Sequence, residues 1–322
     1  MANNLITGGA GFVGVNLAKQ LLAAGEKVIA VDDLSRGRME YLKPFSDNPR
    51  FTFIQLDCAD ADAFARGVAA LHASDSITDV WHMAANSDIP AGVADPEIDL
   101  RRTFMTTFAT LLVMRNIGIP VMHFASSSAV YGDLADLAIS EVSGPVEPIS
   151  NYGAMKLASE AQIRAAVESY LKRANVFRFP NVVGVPATHG VILDLIRKAH
   201  ATPSGFDVLG DGTQQKIYLH VDDLLSAMLF IRKHAPGRYN VFNIGPSDVG
   251  ITVREIAETV ARQVAPGSEI RFGSGNKGWV GDVPRFRYAT EKLSSLGWSP
   301  NMGSHAAIAK AAEQIASQEE TS

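Results

Sequence analysis

The stretch from Asn4 to Gly14 limits this chain more than any other part of it. A short apolar run, Asn4 to Thr7, passes directly into Gly8-Gly9-Ala10-Gly11-Phe12-Val13-Gly14, and a helical pattern follows from Phe12 to Ala24. Gly8, Gly11 and Gly14 thus open a helix immediately after a strand. One glycine allows the tight turn, another lets backbone amides approach a pyrophosphate, and the last permits close helix-sheet packing, with the helix N-terminus favouring an anion. A glycine-rich turn alone is common in α/β proteins, so the surroundings have to decide. They do so through Asp32, which closes the next apolar run, Lys27 to Val31, about 20 residues further on. A carboxylate there accepts hydrogen bonds from the adenosine ribose hydroxyls and repels a 2′-phosphate, so it favours NAD over NADP even with Arg36 and Arg38 nearby.

The alternation continues along the chain. Strands are expected at Phe51 to Leu56, Asp79 to His82, Val121 to Ala125 and Asn175 to Phe179, with helices at about Leu100 to Asn116 and Tyr152 to Arg173. This is the sequence form of βαβ units, and the expected fold is α/β, a Rossmann-type doubly wound parallel sheet. Beyond Pro180 the pieces shorten. Helices are expected at Val191 to Ala201, Val221 to His234, Val253 to Val264 and Ser304 to Ala316, with small strands at Asp207 to Leu209 and Tyr239 to Ile244. The division expected is an NAD-binding domain over 1–180 and a smaller α/β substrate lobe over 181–322, with segments that return to the first domain. The final SQEETS reads as a frayed tail.

Composition excludes several classes. With 29 Lys and Arg against 34 Asp and Glu there is no basic field for nucleic acid. One cysteine, Cys58, forms no internal disulfide and supplies no thiolate cluster, and a reducing cytoplasm is the expected location. No apolar run reaches the roughly 20 residues of a membrane-spanning helix, and no secretory leader is recognisable. His220, Asp222 and Asp223 read as a helix N-terminal cap rather than metal ligands, so no metal is expected. Trp81, Trp279 and Trp298 read as packing residues rather than a sugar platform.

A chemical constellation sits in the middle of the chain. Tyr152 and Lys156 begin a helix, and their i,i+4 spacing puts them on one face. An adjacent ammonium and a cationic nicotinamide ring both favour the phenolate of a tyrosine, which can then take a proton from a hydroxyl as hydride leaves. Such a pair taken alone is usually a surface pair. Upstream, however, the strand VMHFA ends in Ser126-Ser127-Ser128-Ala129, at the carboxyl end of the sheet, where a hydroxyl can relay a hydrogen bond to the tyrosine.

Taken together, TGGAGFVG, VDDLSRG, LDCAD, WHMAANSD, ASSSAVYG, NYGAMK, RFPNVVG, LGDGTQQKIYLHVDD and GWVGDVP make the chain resemble the extended short-chain dehydrogenase/reductases, and within them the nucleotide-sugar 4-epimerases. The resemblance runs from Leu5 to Pro300. It implies Tyr152 as base and acid, Lys156 as its electrostatic and ribose-binding partner, and Ser127 as the bridging hydroxyl. It implies NAD contacts from Gly8, Gly11, Phe12, Val13, Gly14, Asp32, Asp33, Leu34, Ser35, Gly37, Asp57, Cys58, Met83, Ala84, Ala85, Ser126 and Pro180. For a UDP-hexose it implies Ser87, Ser128, Asn181, His189, Gly190, Val191, Asp207, Val208, Leu209, Lys216, Lys277, Trp279, Asp282 and Phe286.

The family's 4,6-dehydratases carry an Asp-Glu pair directly after the catalytic hydroxyl, where this chain has Ser128 and Ala129. The implied reaction is therefore reversible oxidation at carbon 4 and return of hydride to the other face of a 4-keto sugar. The chain also departs from the family pattern. Lysines, Lys216 and Lys277, stand where arginines often hold the diphosphate, Thr103 replaces an asparagine, and Ser87 replaces a lysine. The resemblance puts Phe286 where the family walls the sugar's 2-substituent, so it implies crowding of an N-acetyl group and leans the expectation to glucose and galactose, the alternative being a packed aromatic of the smaller lobe. The resemblance further implies a homodimer in which the helices at Leu100 to Asn116 and Tyr152 to Arg173 form a four-helix bundle.

Overall fold

The computed structural model describes residues 2–133, 137–202, 204–275 and 287–321. Cα proximity divides the chain into two compact units, one formed by residues 1–132, 145–178 and 229–242, the other by 133–144, 179–228 and 243–322.

The first unit is built on a seven-stranded sheet. Its strands are β1 (Asn3–Thr7), β2 (Lys27–Asp32), β3 (Phe51–Gln55), β4 (Asp79–His82), β5 (Val121–Ala125), β7 (Arg173–Arg178) and β12 (Tyr239–Asn243), in the order β12-β7-β5-β4-β1-β2-β3. Pairings from β3 through β2, β1, β4 and β5 to β7 are all parallel. The order reverses between β1 and β4, and ligands of open α/β sheets bind at the carboxyl ends beside such a switch point. Parallel strands buried on both faces read as continuous apolar runs, and residues 28–32 are all buried. Helices α1 (Phe12–Ala23), α2 (Ala61–Ser74), α3 (Ile89–Ala94), α4 (Pro96–Asp99), α5 (Thr106–Ile117) and α6 (Asn151–Ser169) complete this unit, and a continuous core runs through Leu5, Val31, Phe64, Val80, Met114, Phe124, Ile163 and Val176. The expected doubly wound Rossmann-type sheet is the observed one.

The second unit contains short paired strands: β8 (Asn181–Val183) with β11 (Tyr218–His220), β9 (Gly205–Val208) with β14 (Glu269–Phe272), β10 (Gln215–Lys216) with β13 (Ile251–Thr252), and β6 (Ala138–Ile139) with β15 (Arg287–Tyr288). Helices α7 (Val191–Ala201), α9 (Val253–Val264) and α11 (Ser304–Thr321) bury Ile196, Ile256, Val260, Ile308 and Ile315 with Phe206 and Val208 in one core, and α10 (Glu291–Ser294) is a single turn. Helix α8 (Val221–His234) is assigned to the second unit up to Met228 and to the first from Leu229.

Three expectations are corrected. Helix α6 stops at Ser169, not Arg173, because Tyr170 and Leu171 both donate to the Ala166 carbonyl, and Arg173 already pairs with Val121 as the first residue of β7. The helix expected from Leu100 begins with a π turn, Leu100–Met105, before α5. The chain end is helical to Thr321, because Gln318 bonds both the amide and the carbonyl of Ala187 and Glu319 pairs with Arg197 at 2.6 Å. Helix α2, which the alternation had not revealed, is capped by Asp60 accepting from the Ala63 amide at 2.9 Å.

Candidate active site

The glycine loop connects β1 to α1 at the switch point. Gly8 has φ +70°, and a Cβ there would lie 2.8 Å from the Ala84 amide nitrogen in the segment after β4. Gly14 packs so closely that its Cβ would meet the Gly8 carbonyl oxygen at 2.2 Å. The first turn of α1, with Phe12 and Val13, has no side-chain cap, the arrangement in which helix N-terminal amides can receive an anion. Asp32 ends β2, and its carboxylate accepts from the amides of Ala10 at 3.0 Å and Leu34 at 2.8 Å. Burial pushes the Asp32 carboxyl up, with the amides of Leu34 and Ala10 pulling the other way. A Cβ at Gly37 would come within 2.7 Å of its Oδ1, so glycine is what lets this loop close on Asp32.

Asp33 accepts from the Ser35 amide at 2.9 Å, and Asp57 accepts from the Ala59 amide at 2.8 Å. Cys58 is buried, and burial pushes its thiol well up, which makes it an inert apolar neighbour rather than a nucleophile. Met83 donates its amide to the Thr7 carbonyl, placing Met83, Ala84 and Ala85 beside the glycine loop. Arg36 pairs with Asp88 and Arg38 with Glu40, each at 3.3 Å, so both arginines that could meet a 2′-phosphate already have a carboxylate partner. This cradle of close-packed glycines, uncapped amides and a terminal Asp fits the adenosine and pyrophosphate of a dinucleotide.

Tyr152 and Lys156 lie on α6, which begins where Ser150 accepts from the Gly153 amide at 3.1 Å. The Lys156 side chain is 1% exposed; its Nζ donates to the Ala125 carbonyl oxygen at 2.5 Å and lies 5.7 Å from the centre of the Tyr152 ring. Burial pushes the Lys156 ammonium down to about 7, against the opposing charges of Glu160 and Asp99. Burial pushes the Tyr152 phenol up to about 12, a hydrogen bond with Ser127 lowering it and the Asp99 charge raising it. Ser127 Oγ also accepts from the Ala129 amide at 3.1 Å, which leaves its own proton free for the phenol. Tyr152, Lys156 and Ser127 are thus brought together. Ser128 opens the short 3-10 turn Ser128–Tyr131, and no carboxylate follows Ser127 in it.

Ser126 behaves differently from its neighbour. Its hydroxyl is buried and donates to Glu160. Glu160 receives Arg178 as well, Nε at 3.0 Å and Nη2 at 2.6 Å. These two residues were not among the expected ones. Their signals existed: Glu160 continues the Tyr152, Lys156 spacing by four residues, and Arg178 is a charge directly after the apolar pair Val176-Phe177. Two further polar groups were also missed. Asp99 is buried and accepts from Asn86 at 3.0 Å and Thr103 at 3.4 Å. His82 is buried between Thr7 at 2.6 Å and Thr107 at 3.0 Å, and burial, with the Lys156 charge, holds it down to about 3, hence neutral.

The remaining expected positions are spread over both units. Ser87 is exposed between Asn86 and Asp88. In the second unit Pro180 is buried and Asn181 begins β8; His189 is exposed, Gly190 is the N-cap of α7 with φ 111°, and Val191 opens that helix. Asp207 on β9 pairs with Arg271 at 2.8 Å, Val208 is in the core, Leu209 is exposed, and Lys216 lies on β10. Lys277, Trp279, Asp282 and Phe286 lie outside the described residues. His220 Nδ1 accepts from the Asp222 amide at 3.2 Å, a cap at the start of α8, while Asp223 receives the Asn301 and Met302 amides. Trp81 is buried and stacked on His123 at 3.9 Å, and Trp298 is buried too. Among the described residues no group of three or more His, Cys, Asp or Glu is placed to hold a metal ion, and no helix is long and apolar enough to cross a membrane.

The chain is similar to known proteins along nearly its whole length. The UDP-glucose 4-epimerase of Mycolicibacterium smegmatis is 31% identical over 315 residues, spanning 96% of this chain and 97% of the relative. A crystal structure of a UDP-galactose 4-epimerase superposes with a TM-score of 0.83 at 33% identity, over 98% of this chain and 99% of the other. The UDP-glucose 4-epimerase of Thermotoga maritima, crystallised with UDP-glucose, gives a TM-score of 0.85 at 26% identity, over 99% and 100%. Residues 4–245, which carry the glycine cradle, the serine turn and the Tyr152 helix, match the model of the NAD dependent epimerase/dehydratase family, and the chain belongs to that family.

Proposed function

We propose that this chain is an NAD-dependent 4-epimerase that interconverts UDP-glucose and UDP-galactose. The observation that carries this reading is the Ser127–Tyr152–Lys156 arrangement with no acidic pair after Ser127, since Ser128 and Ala129 follow. Elimination of water next to the carbonyl needs an added acid and base, whereas reversible oxidation at carbon 4 needs only one proton acceptor.

NAD, when bound, supplies the reversible hydride exchange at carbon 4. Asp32 receives the adenosine ribose hydroxyls, and the amides of the glycine loop and of the first turn of α1 receive the pyrophosphate. Asp33, Leu34, Ser35, Gly37, Asp57 and Cys58 surround the adenosine, and Met83 to Ala85 line the path to the nicotinamide end. Lys156 holds a ribose hydroxyl with a donor left over after Ala125, and its charge favours the Tyr152 phenolate. Tyr152 takes the sugar hydroxyl proton, with Ser127 bridging the two oxygens, and returns it when hydride comes back to the other face. Binding energy rests on the nucleotide diphosphate, through Asn181, His189 to Val191, Asp207 to Leu209, Lys216 and the residues around Lys277 to Phe286, so that the hexose is free to turn. Residues 1–180 thus serve NAD, and 181–322 mainly the nucleotide sugar.

The same reading makes the protein a cytoplasmic homodimer. Its support is apolar surface on the helix expected to pair: Leu100 is 45% exposed and Phe108 42%. The test of function is incubation with UDP-galactose without added reductant, followed by chromatography, mass and NMR. Conversion to UDP-glucose at unchanged mass is expected. Loss of water would replace this reading with a dehydratase, and no reaction would exclude both sugars.

A further inference from the structure

Behind the reacting groups lies a buried ionic cluster that the proposed chemistry does not use. Tyr152, Lys156 and Glu160 are spaced i, i+4 and i+8, so they share one face of α6. Glu160 is 3% exposed and Arg178 is 7% exposed, and the two meet through two hydrogen bonds. The Arg178 guanidinium also covers the Tyr131 ring at 4.8 Å, and Tyr131 ends the short turn that begins after Ser127. From the other side, the Ser126 hydroxyl donates to Glu160. The Ser126 amide is occupied too, donating to the Phe124 carbonyl at 3.1 Å. Glu160 and Arg178 therefore grip both ends of the serine turn, through Ser126 and Tyr131, and fasten it to the helix that carries Tyr152.

We propose, resting on the roles given above to Tyr152 and Ser127, that Ser126, Glu160 and Arg178 are positioning residues that fix the angle and distance at which the Ser127 hydroxyl meets the Tyr152 phenol. Burying such a pair is costly, and well-packed apolar residues of similar volume often serve stability as well or better. Directional hydrogen bonds are what apolar packing cannot supply. A bidentate arginine-carboxylate pair has a preferred plane, and with one end of it on β7 and the other on α6, the turn between them is left with one orientation. Ser126 is in this view a strut rather than a cofactor contact. The charged or titratable groups near Tyr152 are Lys156 and Glu160 on α6, Asp99 on α4 and His82 on β4; removing the Ser126 hydroxyl takes one hydrogen bond from Glu160 and leaves its two bonds from Arg178 in place.

That makes Ser126→Ala in the full-length, NAD-loaded protein the decisive variant. The expected result is a fall in kcat of about tenfold, with KM for UDP-galactose and Kd for NAD within about twofold of the parent and only a small change in Tm. Ultraviolet difference titration of tyrosinate, referenced to Tyr152→Phe, should place the Tyr152 midpoint higher by about half a pH unit or more, as a misaligned Ser127 donates less well to the phenolate. Glu160→Gln keeps an acceptor for Ser126 while removing the charge, so it should lose less kcat than Ser126→Ala and more thermal stability. Unchanged kcat and an unmoved tyrosinate midpoint in Ser126→Ala would overturn the clamp. So would a tenfold weaker NAD affinity with kcat preserved, which would return Ser126 to the cofactor. Absence of any turnover in the parent protein would count against the proposed reaction alone, and the tyrosinate titration would then still decide the clamp.

Discussion

The Lys156 ammonium donates to the Ala125 carbonyl oxygen at 2.5 Å, which ties the charged partner of Tyr152 to the last residue of β5. The charge is thereby held at the carboxyl end of the sheet, buried beside the Phe124 and Tyr152 rings at 4.7 and 5.7 Å. A buried ammonium of this kind is unfavourable to the fold and useful to the phenolate.

Replacing Lys156 by methionine should therefore separate stability from function. Burial lowers the ammonium from 10.5 to about 7 in the folded chain. Between those values the unfolded chain binds more protons, so the cost of Lys156 to stability is full below about 7 and is relieved as pH rises toward 10.5. Lys156→Met should raise Tm at pH 6, remove that part of the rise in stability with pH, and nearly abolish turnover. Thermal melts across the pH range, without added NAD, check the first two outcomes; a lower Tm for the variant at pH 6 would contradict them.

Tyr152→Phe should lower kcat by about a thousandfold, the scale of a lost general base, while NAD affinity stays within a few fold. The phenol is the group that moves the proton, and its ring packing survives the change. Turnover assays and NAD titration on the same preparation decide this, and near-normal turnover would remove Tyr152 from the mechanism.

Asp32→Ser should weaken NAD binding by about tenfold or more, the scale of one hydrogen bond to a charged group. It should also narrow the preference against NADP by removing the charge that repels a 2′-phosphate. Competition between the two cofactors, measured by calorimetry, gives the ratio directly. A ratio unchanged from the parent would show that Asp32 does not read the ribose.

Gly14→Ala places a methyl 2.2 Å from the Gly8 carbonyl oxygen, where only backbone movement can relieve it. The expected outcome is a clear loss of Tm together with weaker NAD binding, since the shift displaces both the turn and the start of α1. Ala introduced at Gly118, where a Cβ meets nothing within 4 Å but φ is +86°, is the control for backbone strain alone.

How much of this was legible beforehand follows from the range of the forces involved. The glycine loop, Asp32 and the Tyr152, Lys156 spacing are local patterns, each fixed by turn geometry or helical period within a few residues. They mark the switch point and the reacting face of α6 before any coordinates exist. Strand ends and helix starts were similarly readable wherever apolar runs were interrupted by Gly or Pro. The end of α6 was not, because pairing of Arg173 with Val121, a neighbour from a distant segment, set the boundary. Nor was the order of the chain end, which depends on Gln318 finding Ala187.

Residue chemistry divides in the same way. By itself the sequence determined the fold class, the cofactor cradle and the tyrosine and lysine that share a helix face, and placed a run of serines at the end of the neighbouring strand. Only tertiary structure decided that Ser126 faces Glu160 while Ser127 faces Tyr152, and that Arg178 closes the cluster from β7. Adjacent serines are equivalent in a one-dimensional pattern. They become different when burial makes each polar atom require a partner, and those partners come from segments 34 and 25 residues away: 126 to 160, and 127 to 152.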